Sequence, residues 1–305
     1  MSRASNRMAG QINDFLLQKG LADTSVESYR WFLLQLSAWL QNRGGTFEDL
    51  TGPLFMKWLN GHRTWGGAMR RLATGAMRSF VRWHYGDENL CLKVRIKPDA
   101  PAPQRTLSQD EAATLVGSLE ADDPCARANW TRTRDLAIVS LMLDVGLRAS
   151  EVVRLETANI DMKRRSLMAL CKGGRWRSAY FSVRTRIRLA YWLAIRPKVA
   201  KPGVVTVFVG IVGKTPGRPM TTGGLRAVFR ILGNRAGIEP ASPHSLRRSM
   251  AVLSTLSGAP SRLVMLQGGW SSLKLVERYT QSLSPEAFAP YSPVEAIARA
   301  GEQGV

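Results

Sequence analysis

Tyr279 lies in a strongly basic sequence, downstream of two arginines, a lysine, a histidine and a tryptophan, each in a segment able to meet a phosphate. A tyrosine hydroxyl, with an ordinary pKa of about 10, is a poor nucleophile near neutral pH. It becomes useful when a neighbour takes its proton and cations hold the group it attacks. Arg148 follows Gly146 in GLRASEVVRL (146–155), at a junction of two helical patterns, and Glu151 three residues on is near enough to orient its guanidinium. Lys172 stands in CKGGRWR, where a strand meets a glycine turn and a side chain can project from a hairpin tip. His244 and Arg247 in PHSLRRSM (243–250) share a face at a helix start, where unpaired backbone N–H groups favour an anion. Trp270 in GGWSSLKLVERYTQ (268–281) offers an indole N–H, and Tyr279 follows nine residues later on a short helix. Taken singly, each segment also suits ordinary packing or an exposed charged face.

The charge balance points to a polyanionic target. The 305 residues hold 43 Lys plus Arg against 23 Asp plus Glu, a formal +20. The 77 residues 162–238 carry 17 Lys or Arg and no carboxylate. Ordinary surfaces intersperse both signs, so a one-signed stretch fits a phosphate backbone, with an anionic membrane surface as the second reading. No apolar run reaches 18 residues and no signal-peptide core opens the chain, so we expect a soluble, cytoplasmic, nucleoid-associated protein with no membrane partner. Cys91, Cys125 and Cys171 are far apart, which gives neither a disulfide framework nor a zinc knuckle. The most basic stretch lacks the paired carboxylates of a two-metal nuclease, and we expect no metal and no cofactor. Gly213-Lys214-Thr215 supplies only the tail of a phosphate-binding loop, with Phe208 where its first glycine would stand.

The elements that must position these residues read as two domains joined by a linker. Residues 1–91 form a helical bundle. Ile12, Phe15 and Leu16 share a face of the first helix, and Thr24 with Glu27 suggests a capping box for the second. Tyr29, Phe32, Leu33, Leu36, Trp39 and Leu40 recur at helical spacing along it. Thr51-Gly52-Pro53 starts a third helix. A fourth, over about 64–84, turns Met69, Leu72, Met77, Phe80 and Trp83 inward and Arg70, Arg71, Arg78 and Arg82 outward toward phosphates. These aromatics read as core rather than as base-stacking platforms. Residues 92–107, with Pro98, Pro101 and Pro103, read as the linker, and its Lys93, Arg95 and Lys97 can track a DNA backbone. Residues 108–305 form an α+β domain, predominantly helical, with a small antiparallel sheet or hairpin. Ser108 and Glu111 box its first helix, and a long helix over about 131–145 ends at Gly146. Two strands within 165–183 join through Gly173-Gly174, beside Arg175 and Arg177, which we also read as DNA contacts. Helices follow around 184–195 and 222–232, and Ser242-Pro243 starts another.

Together the four segments resemble the tyrosine recombinase, or phage integrase, family, over about residues 8–290. That family's active site joins an arginine in G-[LA]-R-x-S-E, a hairpin lysine, an H-x-L-R segment, a histidine or tryptophan, and a terminal tyrosine. Here the matching pieces are Gly146 to Glu151, Lys172, His244 to Arg247, Gly269-Trp270 and Tyr279, in the family's order. The resemblance implies a core-binding (SAM-like) N-terminal domain and a catalytic domain. It also implies site-specific cleavage and rejoining of double-stranded DNA at a core site through a 3′-phosphotyrosyl intermediate, with no ATP and no metal. Tyr279 would be the nucleophile, Arg148 and Arg247 the phosphate clamp, Lys172 the acid and His244 the base or a phosphate donor. Trp270 would donate one hydrogen bond and pack against the tyrosine segment. Glu151 would orient the loop that carries Arg148. Three departures stand out. Trp270 replaces the commoner histidine, Gly268-Gly269 replaces Leu-Gly and is expected to loosen the turn, and Arg248 replaces a frequent histidine with no evident role.

The resemblance further implies a tetramer, or a heterotetramer with a paralogue, on two DNA sites. A C-terminal segment of about 292–300 would dock on a neighbouring catalytic domain. Two roles compete: resolution of dimeric chromosomes or plasmids (chromosome partition), toward which the compact two-domain layout leans, and integration or excision of a mobile element. A type IB-like topoisomerase, a telomere resolvase and a non-catalytic DNA-binding protein on the same scaffold are the alternatives.

Overall fold

Apolar residues at helical spacing build the first part of the chain from four helices: α1 (Arg3–Gln18), α2 (Asp23–Gln41), α3 (Gly52–Gly61) and α4 (Gly67–Tyr85). The computed structural model describes residues 3–21, 23–97, 104–171, 173–213, 215–238 and 240–280, together with 283, 287 and 292–294. The chain divides into two units, Met1–Ala102 and Pro103–Val305, each with its own core. In the first, Phe15, Phe32, Phe47, Phe55, Trp58 and Phe80 are all but fully buried. Phe15 meets Phe80 edge-on at 5.5 Å, and burial of each such ring stabilises the unit by roughly 1.5–3 kcal/mol. These aromatics are core, as expected.

Local signals set the helix starts. Thr51 caps α3, its hydroxyl accepting from the Leu54 N–H, with Pro53 in the first turn. α2 begins at Asp23, one residue before Thr24, the expected cap. In α4 the buried face is Ala73, Ala76, Met77, Phe80 and Val81, whereas Met69 and Leu72 are exposed. The inward stripe therefore starts a turn later than the sequence pattern suggested. Residues 92–97, read as linker, pack on this unit. A short 3-10 turn (Leu90–Lys93) buries Cys91, and Val94 and Ile96 rest on the core.

The second unit is built around α6 (Trp130–Val145), whose Ala137, Ile138, Leu141, Met142 and Val145 are wholly buried. α5 (Gln109–Gly117) precedes it, with Ser108 and Glu111 forming the expected capping box. The start of this unit is also fixed by contacts. The Leu107 N–H donates to Ser249 Oγ at 2.7 Å, and Arg105 pairs with Glu111 at 2.5 Å. Both ends of the 92–107 stretch are thus committed to a unit, and Pro98, Pro101 and Pro103 lie outside the described residues.

After α7 (Ala149–Arg154) comes an antiparallel sheet of three strands: β1 (Ile160–Asp161), β2 (Ser166–Leu170) and β3 (Trp176–Tyr180). β2 and β3 pair from Ser166 against Tyr180 to Leu170 against Trp176, and Gly173 and Gly174 take positive φ between them. The hairpin is the expected one. The two-residue β1 was too short to show a period. α8 (Val183–Ile195), α9 (Thr222–Ala236) and α10 (Pro243–Leu256) follow, then α11 (Ser261–Gly268) and α12 (Leu273–Thr280). α11 escaped the sequence reading because it buries little beyond Val264 and Gly268. Among the described residues no helix is long and apolar enough to cross a membrane.

Candidate active site

Gly146 ends α6 in the left-handed conformation (φ 63°), and this turn throws Arg148 to the start of α7. A β-carbon at Gly146 would meet Met250 Cε of α10, the movable end of that side chain. Arg148 is fixed from two sides. Its backbone N–H donates to Glu151 Oε2 at 2.9 Å, and its Nη1 donates to Glu151 Oε1 at 2.7 Å. Glu151 is buried, while the Arg148 side chain keeps a third of its surface open. Burial pushes the Glu151 carboxyl up. The hydrogen bonds from Arg148 and the charges of Arg177 and Arg148 more than reverse this, leaving its pKa below the ordinary value. Glu151 is therefore ionised at neutral pH.

Arg247 faces this pair from α10, whose start is capped by Ser242 with Pro243 in its first turn. The guanidinium is buried. Nη1 donates to the Gly146 carbonyl, and Cζ stands 4.4 Å from the Trp270 ring centre. Among the described residues Nη2 is buried without a hydrogen-bond partner. Burial, followed by the like charge of Arg148, lowers the Arg247 pKa to about 10, against the opposing pull of Glu151 and Tyr279. It remains a cation at neutral pH. His244, one turn earlier, keeps an exposed face. Partial burial, reinforced by Arg248, Arg247, Arg226 and Arg148, lowers its pKa below 6.5, so its imidazole is neutral and able to accept a proton.

Trp270 and Tyr279 close the site from the far side. Their rings lie 5.7 Å apart, and both belong to a small core with Met250, Val264 and Val276. Arg148, Arg175, Cys171 and Trp270 line a cavity of about 440 Å³. The structure thus brings Arg148, Glu151, Arg247, His244, Trp270 and Tyr279 into one neighbourhood. Lys172 lies outside the described residues, although the flanking Cys171 and Arg175 stand at the cavity.

Arg177, read as a DNA contact, also has partners inside the fold. On β3 it is nearly buried, with Nη2 at 3.4 Å from Glu151 Oε2 and Nη1 donating to the Gln267 carbonyl at 2.5 Å. It ties the hairpin to α7 and to the turn before Trp270, and it lines the same cavity as Arg148 and Trp270. Sequence spacing had no means of showing this, since its partners are 26 and 90 residues away. Arg248 has a role after all, because its Nη1 donates to the Arg105 carbonyl at 3.1 Å and pins the start of the unit to α10. In the first unit Arg71, Arg82, Lys93, Arg95 and Lys97 are exposed and Arg70 and Arg78 half-buried. Arg70 donates to Asn60, and Arg82 pairs with Asp87 at 2.5 Å. Burial, then Arg95 and Arg82, lowers the Arg78 pKa, so these three cations are neighbours.

A model of the phage integrase family matches residues 105–285. The chain belongs to that family. It is 30% identical to tyrosine recombinase XerC of Corynebacterium efficiens over 94% of its own length and 93% of that protein's. It is 28% identical to XerC of Mycobacterium leprae, over 87% and 90%. Among solved structures it is similar to the XerH site-specific recombinase bound to palindromic difH substrate, with a TM-score of 0.69 at 16% identity, covering 88% of this chain and 80% of that one. It is likewise similar to the Tn1549 transposon integrase in complex with circular intermediate DNA, with a TM-score of 0.72 at 13% identity, covering 93% and 98%. The structures fix the fold, and the family and sequence relatives fix the class: this is a site-specific tyrosine recombinase, and its reaction is site-specific DNA recombination. Nothing favours the topoisomerase, resolvase or non-catalytic alternatives.

Proposed function

We propose that this recombinase cuts each strand of a specific duplex core site with Tyr279 as nucleophile, and that the residues gathered above divide the work. The observation that carries the reading is the buried, unpartnered Nη2 of Arg247 beside Trp270 and the Tyr279 ring. A buried donor without a partner is costly, and a non-bridging phosphate oxygen supplies the missing acceptor. Arg148 binds the second non-bridging oxygen, held by the ionised Glu151. His244, neutral at working pH, accepts the proton from the Tyr279 hydroxyl as Oη bonds to phosphorus. The bond from phosphorus to the 5′-oxygen breaks, and Lys172 protonates that oxygen. The phosphotyrosyl bond conserves the phosphodiester, so a 5′-hydroxyl from another strand reverses the steps and joins recombinant DNA.

The acid is tested by chemistry. Lys172→Ala is expected to lose cleavage of a normal strand and to regain it when sulfur replaces the scissile 5′-bridging oxygen, because a thiolate leaves without a proton. If the sulfur substrate stays uncut while Tyr279 is intact, Lys172 is not the acid, and Arg175, which lines the cavity with Arg148 and Trp270, is next.

Two sites, each cut on both strands, need four tyrosines, and we infer a tetramer of this chain, or of this chain with a paralogue. An apolar groove of about 660 Å³ between β3 and α11, with Leu263 and Leu266 exposed on it, supports self-association. The apolar positions of VEAIARA (294–300), most of which lies outside the described residues, suit such a groove on a neighbour. Truncation after Pro290 is expected to leave single-protomer binding intact and to remove cooperative binding at a two-armed site. Sedimentation on DNA that still shows the higher complexes would exclude this segment as the contact.

A further inference from the structure

We propose that Gly268 is a positioning residue, whose missing side chain is the seat of the Trp270 ring and, through that ring, of Arg247 and Tyr279. This rests on the assignment of those three residues made above. Gly268 is the last residue of α11, and its φ is outside the left-handed region, unlike that of Gly269 (φ 64°). The backbone at 268 would therefore accept any side chain. What excludes one is the indole. A β-carbon there would lie 2.6 Å from Trp270 Cη2 and closer still to Cζ3 and Cε3, well inside van der Waals contact.

Both partners have close neighbours. On its other side the Gly268 α-carbon is approached by the end of α6, since a β-carbon on Gly146 would come within 3.7 Å of it. Trp270 is only 6% exposed, enclosed with Met250, Val264 and Val276. Any side chain at 268 must push the ring, and the ring carries two neighbours: the Arg247 guanidinium stacked on it and the Tyr279 ring beside it. Gly269 serves a different end, its open α-carbon receiving Arg177 Cδ and Nε. The expectation that two consecutive glycines loosen this turn is thus corrected, because each one is filled by a ring or a guanidinium from elsewhere.

The proposal predicts a reversal of sign. At a helical position with ordinary φ, alanine normally stabilises relative to glycine. Here Gly268→Ala should lower the thermal midpoint and slow single-turnover cleavage roughly 100-fold, the scale of a reacting group misplaced by about 1 Å, with site binding little changed. In a Trp270→His background the smaller imidazole leaves the space open. Adding Gly268→Ala there should cause no further loss of cleavage and should leave the midpoint equal or higher. Circular dichroism melts and cleavage of a nicked suicide substrate by the parent, both single variants and the double variant form the cycle. Midpoint and rate effects that simply add overturn the seat. Coupled midpoints with cleavage unchanged in all three variants would instead remove Trp270 from the catalytic set, and the positioning role of Gly268 with it.

Discussion

Tyr279→Phe yields a recombinase that binds its site and never becomes attached to it. The substitution removes one oxygen and leaves the ring that packs against Trp270 and Val276. Folding and DNA affinity should therefore match the parent, while the species that survives denaturation with a nicked substrate disappears. The expected effect is complete, because in the proposed mechanism the Tyr279 hydroxyl alone supplies the atom that bonds to phosphorus. A persistent adduct in the variant would assign the nucleophile to another residue. Phenylalanine is the right probe because alanine would also open the small core around Trp270, confusing lost chemistry with lost packing.

Arg247→Ala is expected to reduce single-turnover cleavage by about 10²–10³-fold or more, the usual cost of removing one aimed donor to a developing oxyanion, with a much smaller loss of site affinity. Its contact should strengthen as charge builds on the phosphate, so the rate suffers before binding does. Arg247→Lys should rescue little. A lysine keeps the charge but cannot hold the Gly146 carbonyl with one nitrogen, lie flat on Trp270 and present a second nitrogen to phosphate. With a pKa of about 10, Arg247 is charged throughout the neutral range, so its own titration should contribute no pH dependence to the defect between pH 6 and 8. Equal losses in rate and affinity would make Arg247 a backbone anchor only.

The sequence disclosed whatever is decided within a few residues. Ser108 with Glu111, Thr51 with Pro53, Ser242 with Pro243 and the left-handed Gly146 mark helix ends by local bonding, and each is where the pattern put it. The Arg148–Glu151 pair spans three residues and was legible for the same reason. What stayed hidden is decided across the fold. Arg177 looked like one more cation in a carboxylate-free stretch, and only its distant partners Glu151 and Gln267 show that it is internal. Met69 and Leu72 have the residue type and spacing of a buried stripe, yet α4 is covered only from Ala73 onward. The space at Gly268 belongs to a ring two residues on, folded back over it, a contact no periodicity encodes.

Three guanidinium groups, those of Arg148, Arg177 and Arg247, share the single carboxylate of Glu151 in a largely buried setting. The free protein thus carries an internal repulsion that, in the mechanism proposed, the scissile phosphate would discharge. Thermodynamic reciprocity then binds two quantities usually measured apart. Whatever increment of affinity the scissile phosphate draws from relieving that repulsion must reappear, undiminished, as resistance of the occupied domain to unfolding. On the proposed assignment, the substrate phosphate would serve this cluster as its missing counterion.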